Sequence, residues 1–433
     1  MNINILDFGA KANSNELCTE AIQKAIDTCF ENGGGTVNIP AGKFLTGTIW
    51  LRSNVELHLC HGAILKASEN LADYNDEDAY EQNFSCRESE EWVGKHLLIA
   101  HECENVALTG SGTIDGSGDV FYSDELTFCT YAWKDGIQLA KDKELCRPGQ
   151  LLCFIECSRV RVENITMTNQ PCWGCFLYGC EYVQVRGIKS INPTTAFNSD
   201  GIDIDSCRYV TVSDCIFDTG DDAIAIRGAE EFMKNRPHPC EYVTISNCVL
   251  GSASSAIRIG VGTGLIRHIR ISNITITRAS PAINFMTTYN SYGDVSIEDV
   301  SIVNVSAVDS TRGMEIIQGG DAYVRRITVE NFYVETDGYF KLQANCPHSV
   351  SDIVLRNCRI VQTGALKAVN PRQVDRRGTS WFRAKNIDNL KLENVQIEDE
   401  GDYLSTWKDG VFSFDDCSST RLNNVTLNGK ELL

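Results

Sequence analysis

No run of about 18 apolar residues occurs anywhere in this 433-residue chain, so no segment has the length that a membrane-crossing helix needs. The first residues go from Met1 directly into Ile3-Asn4-Ile5-Leu6, without the basic stretch and apolar core of an export leader, and the expected location is the cytoplasm. Positive charge is scarce as well: 39 Lys and Arg face 58 Asp and Glu, which leaves a net charge of −19. A field of that sign repels nucleic acid, anionic membrane and long polyanions unless a local basic cleft reverses it. Neither nucleic acid nor a membrane is therefore expected as a partner.

Cysteine is not scarce, at 19 residues, but the number is odd and most lie inside alternating apolar patterns, as at Cys207, Cys215, Cys240 and Cys248. They read as small buried hydrophobes rather than a disulfide framework. Cys172-x-x-Cys175 followed by Cys180 comes nearest to a metal motif, but no second pair stands at zinc-finger spacing, so no metal site and no cofactor are expected.

A short pattern returns every 22 to 33 residues or so. It reads Val160-Arg161-Val162-Glu163-Asn164-Ile165-Thr166-Met167, then Val183 to Ile188, Val210 to Phe217 and Val243 to Leu250, with further copies near Ile269, Val295, Val324, Ile353, Leu390 and Leu422. Each copy is two alternating strands joined at a polar bend, so each offers an apolar face that only stacking on a neighbour can bury. The units are too short for four-stranded propeller blades and lack paired Asn-Gly or Asp-Gly hairpin turns. The expectation is an all-β, right-handed parallel β-helix forming one domain over 1–433, with a cap at about 1–45 and the functional coils at about 150–320. Ala21, Ile22, Ala25, Ile26 and Phe30 have helical spacing, which predicts a capping helix over Cys18–Phe30 that stops at Gly33-Gly34-Gly35. The opposite end shows no such cap.

Stacked coils turn equivalent positions into columns. Aligning the segments that begin at Ser199, Asp221, Ser254, Ser280 and Thr311 gives a second column of Asp200, Asp222, Ser255, Pro281 and Arg312. An outward column follows, with Asp203, Ala225, Arg258, Asn284 and Glu315, and it alternates with inward isoleucines. Asp200 and Asp222 share parity with those isoleucines, so they belong in the turns before each strand. Coils stack about 4.8 Å apart, which brings Asp200, Asp221 and Asp222 close enough to couple. Crowded carboxylates repel, and that is how one site holds a protonated acid beside an ionised base, the pair that glycoside hydrolysis requires. A calcium site would want more oxygen ligands than this cluster offers.

The motifs Leu6-Asp7-Phe8-Gly9-Ala10, Asn198-Ser199-Asp200-Gly201-Ile202-Asp203 and Gly220-Asp221-Asp222-Ala223-Ile224-Ala225-Ile226 resemble glycoside hydrolase family 28, the polygalacturonases and their relatives. The resemblance implies an inverting hydrolase with Asp221 as general acid and with Asp200 and Asp222 activating water. The chain departs from the family's pattern in two coils. Ser255 stands where the family usually has the His of Gly-His-Gly, and Asn284-Phe285-Met286 replaces Arg-Ile-Lys, basic residues that hold a uronate carboxylate in polygalacturonases. Arg258 or Arg312 would have to compensate. The expectation is therefore an exo-acting glycosidase that releases a largely uncharged terminal sugar, such as apiose, xylose, rhamnose or galactose, from an oligosaccharide or plant glycoside. Its binding residues would be Trp173 as a stacking platform, Ser255, Arg258, Asn284, Arg312 and Glu315. A polygalacturonase, a lyase on the same architecture and a non-catalytic carbohydrate-binding β-helix are the alternatives.

Overall fold

The computed structural model describes residues 1–76, 78–80, 92–121, 126–128, 138–139, 147–289, 293–364 and 379–432. Strands dominate, and Thr19–Glu31 is the one α-helix among the described residues. The described residues fall into two compact units: one within Met1–Cys129, Gln138–Asp221 and Phe232–His238, the other within Asp222–Glu231 and Pro239–Leu433. Parallel stacked strands build both, and the fold is the right-handed parallel β-helix that the repeat predicts.

In the first unit the helix begins one residue later than its spacing predicts and buries Ile22, Ala25, Ile26 and Cys29. The glycine run ends it as expected, and at Gly34 a Cβ would lie only 2.3 Å from the Asn54 carbonyl oxygen. Strands Leu152–Ile155, Cys175–Tyr178 and Ile202–Asp205 then stack in register, with Cys153 opposite Phe176 and Phe176 opposite Asp203. On the next face Val160, Val183 and Val210 stack in the same way. Their side chains point inward and are buried, each contributing about 1.5–3 kcal/mol relative to exposure.

In the second unit Ile224, Ile257, Ile283 and Met314 form one inward column, while Ala225, Arg258, Asn284 and Glu315 form the outward one. The outward column extends beyond the coils aligned by sequence, through Lys341 to Arg383. Polar bends close each turn in left-handed backbone, at Asn247, Asn273, Asn304 and Asn331, a conformation that asparagine tolerates. The amides of Asn273, Asn304 and Asn331 each donate to the preceding asparagine, at 3.2, 3.2 and 2.9 Å. At the C-terminal end Arg421–Leu427 pairs antiparallel with Lys430–Glu431, which closes part of an edge for which the sequence predicted no cap. The cysteines among the described residues are mostly buried, including Cys172, Cys175 and Cys180.

Candidate active site

Asp200 and Asp221 both sit in bends that precede strands, outside the strand alternation. They are 2% and 4% exposed, and an oxygen of one lies within 4.8 Å of an oxygen of the other. Asp200 is fixed through its backbone: its carbonyl accepts from Gly174 N–H at 2.8 Å and from the Gln170 amide at 3.1 Å. Gln170 is in turn held by Ser190 and Asn192, so a buried polar network stands behind this aspartate. Gly220 lets the segment before Asp221 pass close to the preceding coil, where a Cβ would fall 2.1 Å from the Ala196 carbonyl oxygen. The Ser199 hydroxyl completes the closure, donating to that same carbonyl at 2.6 Å and accepting from Gly220 N–H at 3.0 Å. On Asp221 itself, Oδ2 accepts from the Asn198 side-chain amide at 3.3 Å.

Asp222 follows in the chain and opens the second unit. Its Oδ1 accepts from Ser255 N–H at 2.9 Å, and its Oδ2 lies 2.6 Å from Arg258 Nε. A backbone N–H bonded to one oxygen and a guanidinium beside the other hold the Asp222 carboxyl in place. A buried carboxylate fixed in this way, beside Asp221 in the chain, is a constellation for hydrolysing a glycosidic bond.

The family description "Glycosyl hydrolases family 28" matches residues 29–352, three quarters of the chain. The chain belongs to this family. It is 31% identical over 251 residues to an exo-poly-α-D-galacturonosidase from Dickeya chrysanthemi, a match that takes in 51% of this chain and 41% of the relative. The "Probable polygalacturonase" of Vitis vinifera is 27% identical over 339 residues, 75% of this chain and 60% of that protein. The chain thus spans about half the length of these two curated relatives. A family 28 exopolygalacturonase from Yersinia enterocolitica shares the fold with a TM-score of 0.73 at 19% identity, covering all of this chain and 79% of that one.

Membership sets the family's pattern beside this chain, and the structure locates the residues in which it departs from that pattern. Ser255 contributes its backbone N–H to Asp222, and its hydroxyl accepts from the Asn284 amide at 3.2 Å. The Asn284 carbonyl oxygen is buried and has no hydrogen-bond partner among the described residues, so it is an acceptor that a sugar hydroxyl would satisfy. Arg258 is bound to Asp222. Arg312 reaches Glu315 at 2.5 Å and the Ser280 hydroxyl at 2.9 Å. Trp173 is the correction: it is 1% exposed and packs edge-on against Phe176 at 5.4 Å, so its ring offers no open face for a sugar to stack on. It lies at a bend, and its ring packs on Phe176, which stands in the outward column with Asp203. The wide carboxylate separation expected of an inverting enzyme, roughly 6.5–9.5 Å, is likewise not present between Asp200 and Asp221, because adjacent bends of a β-helix sit about one coil apart.

Proposed function

We propose that this family 28 hydrolase is exo-acting and removes a terminal galacturonate from oligogalacturonides, with Asp221 as general acid and with Asp200 and Asp222 as the carboxylates that activate water. The observation that carries this reading is the basic run in the second unit. In a chain of net charge −19, Arg258, Lys341 and Arg383 share one outward column, and Arg312 stands in the adjoining turn column. Although Glu315 stands between Arg258 and Lys341, the run is a local concentration of cations of the kind an acidic sugar requires. The name of the Dickeya relative points the same way.

Exo action has its own support. In the first unit the outward residues upstream of Asp203 are covered: Trp173 packs on Phe176, and Tyr80 lies over Tyr178 with ring centroids 4.4 Å apart. A polymer running past Asp200 along that face would have to displace both contacts.

A neutral terminal sugar is the second reading. It is favoured by the pairing of Arg258 with Asp222, of Arg312 with Glu315 and of Arg383 with Asp415, acidic partners that already engage these cations. Trigalacturonate, polygalacturonate and a panel of nitrophenyl glycosides of neutral sugars separate the two. The proposal expects galacturonate monomer as the first product from trigalacturonate and no mixture of lengths from the polymer. Release of a neutral sugar alone would overturn it. Asp221→Asn should lower turnover at least 10³-fold with the melting temperature retained. Proton NMR of the first-formed anomer checks stereochemistry: a β-anomer from an α-linked substrate is expected, whereas an α-anomer would assign the short carboxylate spacing to a double displacement.

A further inference from the structure

Arg147 belongs to no repeat, yet it is 1% exposed and reaches the segment that carries Asp200. Its strand, Arg147–Pro148, pairs in parallel with Trp92–Val93. Through Nη1 the guanidinium donates to the carbonyls of Pro171 at 2.8 Å and Phe197 at 3.1 Å. Through Nη2 it donates to Asn198 Oδ1 at 2.8 Å, and it stacks over the Phe197 ring at 4.4 Å. A guanidinium only donates, so the Asn198 amide must turn its oxygen toward Arg147 and its NH₂ group toward Asp221. That NH₂ is the group that meets Asp221 Oδ2. Asn198 is itself in left-handed backbone at φ 52°, and the bond from Arg147 to the carbonyl just before it braces that bend.

We infer that Arg147 is a positioning residue that orients the Asp221 carboxyl through Asn198. Because Oδ2 is the oxygen that accepts a hydrogen bond from Asn198, the proton that Asp221 delivers is carried on Oδ1. The inference rests on the reading of Asp221 as general acid. The planar fork does the work: one side chain grips two carbonyls and one amide oxygen, a task for which a lysine ammonium has the charge but not the geometry.

The test compares wild type with Arg147→Lys, Arg147→Met, Asn198→Gly and the double variant Arg147→Met/Asn198→Gly. The substrate is whichever of trigalacturonate and the nitrophenyl glycosides wild type cleaves fastest. Glycine at 198 keeps the left-handed backbone while removing the amide, so it tests the last link even where Arg147→Met fails to fold. Each folded single variant should lose about 10- to 100-fold in kcat with KM within about twofold, since a misplaced acid costs turnover rather than binding. Arg147→Lys should not recover wild-type kcat, and the double variant should be no slower than the slower single one. Wild-type kcat in Arg147→Lys or Asn198→Gly, or losses that multiply in the double variant, would overturn the clamp while leaving Asp221 in place. Full turnover in Asp221→Asn would instead remove the acid assignment, and the clamp with it.

Discussion

At the scale of single residues, the pairing of Arg258 with Asp222 is the contact whose removal should say most. Both side chains are nearly buried, at 12% and 3% exposure, so removing the arginine leaves a carboxylate out of water without its cation. Breaking a pair of this kind typically costs about 3–5 kcal/mol, much of it the penalty on the remaining charge. Arg258→Met should therefore lower both stability and turnover. Arg258→Met combined with Asp222→Asn should regain most of the stability, because no lone charge remains, but none of the activity. Urea unfolding alongside kcat on the same preparations checks this, and full recovery of activity in the double variant would show that Asp222 takes no part in the chemistry. The closeness of Asp200 and Asp221 was legible in the sequence because both lie in motifs set on a repeat. Trp173 was not, since a tryptophan at a bend has the same sequence context whether its ring faces sugar or core. Arg147 and Gln170 gave no signal either, because their work depends on contacts that skip across coils to Phe197, Asn198 and Asp200.

At the scale of elements, the strand columns were readable because a repeat of fixed period carries its own register: the predicted alignment of Ala225, Arg258, Asn284 and Glu315 is the observed one. The covering of Tyr178 by Tyr80 was not readable, since it comes from a non-repeating segment with no periodicity to align. The asparagine bends make a testable claim of their own. Asn304 donates to Asn273, accepts from Asn331 and holds φ at 58°. Asn304→Ala should destabilise the fold by about 2 kcal/mol, mostly left-handed strain, and Asn304→Gly by clearly less. Equal losses in denaturant titration would mean that the amide ladder, rather than the backbone, is what matters. In the last coils, the Ser418 hydroxyl first and His348 second hold the Asp388 carboxyl below the ordinary aspartate range. A carboxylate whose folded pKa is depressed stabilises the fold above its unfolded value, near pH 4, and loses that contribution as pH falls through the folded pKa. Asp388→Asn should thus cost about 0.5 kcal/mol at neutral pH, the scale of a solvent-screened contact, and the gap to wild type should close on acidification below about pH 4. A melting-temperature difference that stays constant from pH 7 to pH 3 would place the effect elsewhere.

At the scale of the whole molecule, net charge turns substrate identity into a measurement that requires no mutation. At −19 the protein repels a polyuronate at long range, while on the proposed reading the cations Arg258, Arg312, Lys341 and Arg383 attract a uronate at short range. Salt weakens the two unequally. The Debye length shrinks from about 30 Å at 0.01 M to about 8 Å at 0.15 M, so the long-range repulsion is lost first, and contacts made within a few ångströms persist. For an enzyme that works on oligogalacturonides, KM should therefore fall severalfold across that range, and more steeply for longer, more highly charged chains. A neutral glycoside carries no charge for either field to act on, so its KM should stay level. Measuring KM for di-, tri- and hexagalacturonate at both ionic strengths, with a neutral nitrophenyl glycoside as reference, ranks the two readings of the site. A KM that rises with salt for every uronate would mean that the local basic run governs approach from the outset, and that the acidic remainder of the surface lies beyond its reach.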